Sequence, residues 1–146
     1  MKNIYKALAE FQQEVPVIHK DTEGYGYSYA DLPAIFGIIN PLMKKNGLGF
    51  TQLVTITENG AQVIKTQVFH IESGENIESY TKIPEGVSLA KMNDFQVLGS
   101  GITYIRRYAL SSMLGLVTDK DNDASGKQVK KTSVPKTAGE DLSFLD

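Results

Sequence analysis

The sequence predicts an α+β fold in which an antiparallel β-meander lies between two helical segments and a long third helix. Hydrophobic side chains recur at helical spacing at both ends of this region, whereas Leu48 to Ile83 shows the alternation typical of strands. Hydrophobic residues make up 41% of the 146 residues, which is enough for one core. We therefore expect one domain, residues 1–118, followed by a tail, residues 119–146.

Two helices are predicted before the meander. In the first, the apolar residues Ile4, Tyr5, Leu8 and Phe11 recur at helical spacing, and Val15-Pro16 ends the segment. In the second, Asn46-Gly47 supplies a C-terminal stop. Its apolar side chains trace one face: Leu32, Ile35, Phe36, Ile39, Leu42 and Met43. Charges that favour the helix dipole stand near its two ends, namely Asp31, Lys44 and Lys45.

The meander contains three predicted strands. Phe50, Gln52, Val54 and Ile56 alternate with threonines and Leu53, and Asn59-Gly60 is a hairpin turn signal. The return strand is expected over 61–71, and a third strand over 76–83 follows the Ser73-Gly74 turn. Pro84-Glu85-Gly86 then ends the sheet, which leaves a loop up to about Met92.

The third helix is predicted from Asn93 to Leu114, with Gly115 as its stop. Gly99 and Gly101 inside it cost about 1 kcal/mol each relative to alanine, so we expect a close approach at these positions. The side chains expected to form its buried stripe are Phe95, Leu98, Ile102, Ile105 and Ala109.

Composition excludes several classes of function. There are 15 Lys and Arg against 17 Asp and Glu, a net charge of −2, so bulk charge indicates no particular partner. Cysteine is absent, which removes disulfides and thiolate chemistry. No apolar run is long enough to span a membrane and the N-terminal residues are polar, so we expect a soluble cytoplasmic protein.

Motifs for catalysis and cofactors are also missing. No phosphate-binding loop of the G-x-x-x-x-G-K-[ST] type occurs, and a hydrolase based on His70 has no supporting motif. The acidic run 119–123 resembles the opening of a calcium loop, but Ala124 and Lys130 stand where glycine and glutamate are needed. We expect no catalytic residue, no cofactor and no metal site.

Polar side chains form one stripe on the third helix. Gln96, Ser100, Thr103 and Arg107 are four, three and four residues apart, and therefore share a face. Such a stripe suits hydrogen bonds to phosphates and sugars, although a solvated face with an arginine–carboxylate pair explains it equally well. Arg106 points about 100° away from Arg107, so at most one of them lies on the stripe.

Tyrosines alternate with small residues between the first two helices. If this segment is extended, Tyr25, Tyr27 and Tyr29 lie on one side of it. Exposed rings would stack unpaired bases, worth about 1–3 kcal/mol per base. Packing against the sheet is the alternative, and the residues alone favour it.

The strings Y-S-Y-A-D-L at 27–32 and G-S-G-I-T-Y-I-R-R-Y-A-L at 99–110 resemble the Erf family of phage recombination proteins. The resemblance extends over about 1–123. It implies an ATP-independent protein that binds single-stranded DNA, anneals complementary strands and assembles into rings or helical filaments. It also implies a fold related to the eukaryotic annealing recombinases, a curved antiparallel sheet packed on a long helix. A passive single-strand binder or nucleoprotein scaffold is the alternative.

The resemblance implies roles for individual residues. Phosphates would be neutralised by Arg106, Arg107, Lys44, Lys45 and Lys91, each steepening the salt dependence of binding by about 0.7 in log–log slope. Gln96, Ser100 and Thr103 would bond phosphates and sugars. The side chains expected to stack bases or to shape the groove wall are Tyr27, Tyr29 and Tyr104.

The expected partners are single-stranded DNA, annealed duplex intermediates and further copies of this chain. Only 7 of the 28 residues from 119 to 146 are apolar, so we expect a disordered tail. The tail carries lysines before an acidic-hydrophobic tip, residues 140–146. The tip is similar to protein-docking tails of single-strand binding proteins, which suggests a nuclease or such a protein as partner; plain disorder is the alternative.

Overall fold

The computed structural model describes residues 1–23 and 28–118, which form an α+β fold. Three helices surround one face of a three-stranded antiparallel sheet, and a short two-stranded ribbon stands beside it. The tail predicted over 119–146 lies outside the described residues, as do Tyr25 and Tyr27. The elements are α1 (Lys2–Glu14), β1 (Thr22–Glu23), β2 (Ser28–Tyr29), α2 (Leu32–Lys45), β3 (Leu48–Ile56), β4 (Gln62–His70), β5 (Asn76–Lys82) and α3 (Asp94–Leu114).

The sheet confirms the predicted meander. Its order is β3-β4-β5, with both pairs antiparallel. The turns fall at Gly60 (φ +81°) and Gly74 (φ +71°), where a left-handed backbone favours glycine. Because Asn59-Gly60 ends β3 so sharply, Ile56 pairs with Gln62, and this turn sets the register of the whole hairpin.

Helix α2 has the boundaries that its sequence indicates. The Asp31 carboxylate accepts a hydrogen bond from the Ala34 N–H (2.9 Å), which satisfies one of the free donors of the first turn. Asn46 is the C-cap, and Gly47 follows with a φ of +66°. The predicted apolar face is confirmed, with Phe36 and Leu42 partly buried at its edges and four side chains fully buried: Leu32, Ile35, Ile39 and Met43.

Helix α3 begins and ends as predicted, and its predicted buried stripe is confirmed at Ile105 and Ala109 but is wrong in the first turns. Asn93 and Gln96 form a capping box, and Gly115 ends the helix with a φ of +66°. However, Phe95 is 85% exposed and Leu98 is 40% exposed. Among the described residues, the buried side chains of α3 that meet the sheet and the other helices all lie in its second half, so the first turns stay outside the core. The buried side chains are Ile105, Arg107, Ala109, Leu110 and Leu114.

The core lies between the three helices and the inner face of the sheet. Leu110 and Leu114 of α3 meet apolar side chains of α1 and α2 in the main cluster, together with Val68 of β4. A smaller cluster joins Ile64, Ile83 and Ile105, with Ile102 packed against it. Together these two clusters fix α3 along the sheet and leave its N-terminal half projecting beside the loop after β5.

Candidate functional site

A groove of about 1170 Å³ lies along the exposed half of α3. Its other walls are the loop that follows β5 and the β1–β2 ribbon. The side chains and glycines that line it are mostly apolar or neutral: Tyr29, Ile83, Pro84, Gly86, Val87, Leu89, Met92, Gln96, Val97, Leu98, Gly99, Ser100, Gly101, Thr103 and Tyr104, with the charged Glu23, Asp94 and Arg107.

Arg107 is the most unusual residue of the groove, because it is charged and yet only 9% exposed. Its guanidinium carbon lies 3.9 Å from the centre of the Tyr29 ring, a cation–π contact with a ring of the ribbon. The rings of Tyr104 and Tyr108 lie 5.5 and 5.6 Å away. Its Nη2 atom is buried without a hydrogen-bond partner among the described residues, which leaves a strong donor at the groove unsatisfied.

Asp31 lies close enough to this guanidinium for the Arg107 charge to lower its pKa, and the sequence did not predict that proximity. One carboxylate oxygen caps α2 through the Ala34 N–H, and the other accepts from the Thr22 hydroxyl at 2.9 Å, which links the ribbon to α2. These two hydrogen bonds, followed by the charge of Arg107, hold the pKa of Asp31 below its ordinary value against the effect of partial burial. The D-L-P start of α2 predicted a cap, but no local signal could indicate that Arg107 would lie near it.

The predicted polar stripe of α3 faces the groove. Gln96, Ser100, Thr103 and Arg107 all line it, so the helical spacing predicted their common face correctly. Gln96 is engaged in the cap, where its side-chain oxygen accepts from the Asn93 N–H at 2.8 Å. The Thr103 hydroxyl donates to the Gly99 carbonyl at 3.1 Å, which leaves its oxygen lone pairs toward the groove as further acceptors.

Two of the three predicted stacking tyrosines also line the groove. Tyr29 forms the contact with Arg107, and Tyr104 is about half exposed, with its ring centre 4.5 Å from that of Tyr108. Tyr27 lies outside the described residues. The structure therefore places at the groove two aromatic faces of the kind that stack nucleobases, one of them already occupied by a guanidinium.

The other predicted cations do not line this groove. Arg106 points to a different side of α3, where its guanidinium carbon lies 5.7 Å from the Phe36 ring. Lys45 pairs with Glu14 at the far end of α2, and this hydrogen bond lowers the pKa of Glu14. Lys44 is exposed at the same end, and Lys91 is exposed on the loop with a φ of +63°. Their contacts with phosphate stay predictions, and for Arg106 the position against Phe36 gives that prediction no support.

Gly99 and Gly101 open the groove floor. A methyl group added at either position would meet no atom within 4 Å among the described residues, so the close approach expected within the chain is absent. The space that these glycines leave is part of the groove itself.

The structure also shows the surroundings of His70 and allows a search for metal-ligand clusters and membrane spans. His70 Nδ1 lies 2.8 Å from the Ser73 hydroxyl and accepts from the Ser73 N–H, so both side chains serve the β4–β5 turn. Within residues 1–23 and 28–118, no cluster of three or more metal-ligating side chains occurs. No helix in the same ranges is sufficiently long and apolar to cross a membrane.

Comparison with known proteins identifies the family. Residues 4–142 match the model of the ERF superfamily. The chain is also similar to the "Essential recombination function protein" of Salmonella phage P22, with 26% identity over 136 residues, 92% of this chain and 65% of that protein. The chain thus spans about 65% of the length of this curated relative. No solved structure matches it. With the family model covering nearly all of its length, the chain belongs to the ERF superfamily.

Proposed function

We propose that this protein binds single-stranded DNA and anneals complementary strands in phage-type homologous recombination, without ATP and without covalent chemistry. Membership in the ERF superfamily and similarity to a phage protein named for recombination support the role in recombination. The observation that carries the strand-binding part is the groove of α3, where a buried guanidinium has a donor with no partner in residues 1–23 and 28–118, beside aromatic rings.

The groove chemistry suits a strand that must remain available for pairing. Annealing needs a grip on the sugar-phosphate backbone, because the Watson–Crick edges of the bases must stay free to find a complement. Arg107 offers a charge-assisted hydrogen bond to phosphate, and the Ser100 hydroxyl can donate to a phosphate or sugar oxygen, whereas the Thr103 proton is already donated to the Gly99 carbonyl. None of these groups is arranged to read a particular base, which favours sequence-independent binding.

Assembly and partners complete the proposal. A single groove with one lining arginine would bind a strand weakly, and several copies along one strand would multiply that affinity through effective concentration. We therefore propose a homo-oligomer, ring or filament, in the host cytoplasm, with a fold related to the annealing recombinases. The acidic-hydrophobic tip over 140–146 would dock a nuclease or single-strand binding protein.

An annealing assay tests the proposal. Two complementary labelled oligonucleotides are mixed with and without the protein, and the rate of duplex formation is followed by energy transfer. We expect the protein to accelerate pairing without ATP, and to leave non-complementary strands unpaired as the control. Slower pairing with tight strand binding would instead identify a passive single-strand binder. Absence of single-strand binding would refute both functions.

A further inference from the structure

We infer that Arg107 is a single-phosphate anchor: in each subunit the groove grips one phosphodiester of the strand through this guanidinium, and the rest of the strand there meets no further cation among the described residues. This inference rests on the proposed function, because it assigns the chemistry by which the groove would hold DNA. It assigns Arg106, next to it in sequence, no part in that contact.

The Arg107 guanidinium is ordered and has a free donor for an anion among the described residues. Its plane is held by the Tyr29 ring at 3.9 Å, and its charge is nine-tenths buried. A buried charged donor without a partner is unfavourable, and Nη2 is in that state among the described residues. A phosphate oxygen that enters the groove would satisfy this donor at little further entropic cost, because the side chain is already ordered.

The described part of the groove offers a cation to phosphate at one position, Arg107. Three of the described lining residues are charged: Glu23 and Asp94 carry carboxylates, which repel phosphates, and Arg107 carries a cation. The guanidinium of Arg106 lies on the other side of the helix against Phe36. A neighbouring phosphate in the groove would therefore meet hydroxyl and amide groups or apolar walls, and would contribute little salt-dependent affinity.

A phosphodiester fits the groove beside Arg107 better than an acidic side chain does. The wall beside Arg107 combines hydroxyls at Ser100 and Thr103 with the exposed Tyr104 ring. These groups match the sugar and base that flank a phosphate. An acidic peptide would bring several carboxylates toward Glu23 and Asp94, whereas an extended strand can turn its remaining phosphates outward.

The test compares Arg107→Met with the matched control Arg106→Met, which removes the same charge from the adjacent position of the same helix. Binding of a fluorescent oligothymidylate is measured over a range of salt concentrations with the full chain. For Arg107→Met we expect about 10- to 100-fold weaker binding and a log–log salt slope smaller by about 0.7. For Arg106→Met we expect less than about a 2-fold change and an unaltered slope.

A second measurement locates the contact on the strand. A strand with neutral methylphosphonate linkages should bind the wild-type protein more weakly, and Arg107→Met should lose much less from the same replacement, which closes a double-mutant cycle. Equal losses in both proteins would overturn the inference, as would a slope carried by Arg106. If single-stranded DNA binds but Arg107 does not affect it, the anchor fails while the proposed function stands.

Two further readouts keep the outcome decisive. If Arg107→Met fails to fold, Arg107→Lys tests the anchor instead, because lysine keeps the positive charge but lacks the planar guanidinium. The salt slope of oligothymidylate binding should then be retained, and the affinity should fall several-fold. Unchanged affinity of Arg107→Lys would then refute the anchor. Displacement of the oligothymidylate by a polyglutamate peptide at equal concentration would also refute it, in favour of an acidic protein partner.

Discussion

Replacing Arg107 by methionine should make the folded protein more stable while it weakens strand binding. The side chain is 9% exposed and one of its donors is unpartnered among the described residues. Leaving such a charged donor unsatisfied costs roughly 1–3 kcal/mol or more, and methionine of similar length removes that cost without creating a large cavity. A residue kept at the expense of stability is typical of a binding site.

The expected magnitude follows from opposing contributions. The variant loses the cation–π contact with Tyr29 at 3.9 Å, worth about 0.5–2 kcal/mol, and the attraction to Asp31. Because the donor is charged, we take about 3 kcal/mol for the relieved desolvation, and subtracting about 2 kcal/mol for the two lost contacts leaves a net stabilisation of about 1 kcal/mol. For a domain of this size, that corresponds to a rise of about 4 °C in Tm or about 0.5 M in the urea midpoint.

Urea unfolding followed by circular dichroism measures this effect, with Arg106→Met as the control. Arg106 is half-buried and stacks on Phe36 at 5.7 Å, so its replacement should change the free energy of unfolding by less than about 0.5 kcal/mol. A loss of more than about 1 kcal/mol in Arg107→Met would show that the guanidinium holds the ribbon and α3 together. The physical basis for treating Nη2 as a vacant donor would then be wrong.

Three further outcomes are expected. Gly99→Ala should stabilise α3 by about 0.5–1 kcal/mol, yet it should weaken oligonucleotide binding because the added methyl group narrows the groove floor. The control Gly37→Ala, at an equally open site on α2, should stabilise that helix without altering binding. Equal binding by both variants would contradict a strand path over Gly99. In oligonucleotide titrations, Tyr29→Phe should retain the wild-type affinity and Tyr29→Ala should bind several-fold more weakly, because the ring face supports the guanidinium. Weaker binding by both variants would point to the hydroxyl instead. Asp31→Asn keeps the cap but removes the charge. Because the pKa of Asp31 is lowered in the folded state, the wild type should be more stable than this variant by its full margin above the unfolded pKa of about 3.9, and the margin should shrink as the pH falls through the folded pKa. A difference in unfolding free energy that does not change with pH would exclude this linkage.

Local signals in the sequence were sufficient for the order and the ends of the three helices and of the three strands of the meander, whereas the β1–β2 ribbon was not predicted. Asp31 and Asn46-Gly47 mark α2 because caps act on the nearest turn, and Asn59-Gly60 determines the β3–β4 register because a tight turn leaves the strands only one pairing. The common face of Ser100 and Thr103 follows from helix geometry alone. Each of these features depends on residues a few positions apart.

The tertiary structure decided which faces are covered. Phe95 has the spacing of a core residue, but it is exposed because the sheet ends before the first turn of α3. Arg107 lies on a polar stripe and is nevertheless buried, because the ribbon brings the Tyr29 ring over it. Burial is set by whichever element packs opposite, and helical periodicity carries no information about that partner. For the same reason, adjacent arginines that look equivalent in the sequence occupy different sides of one helix, and only one of them reaches the groove.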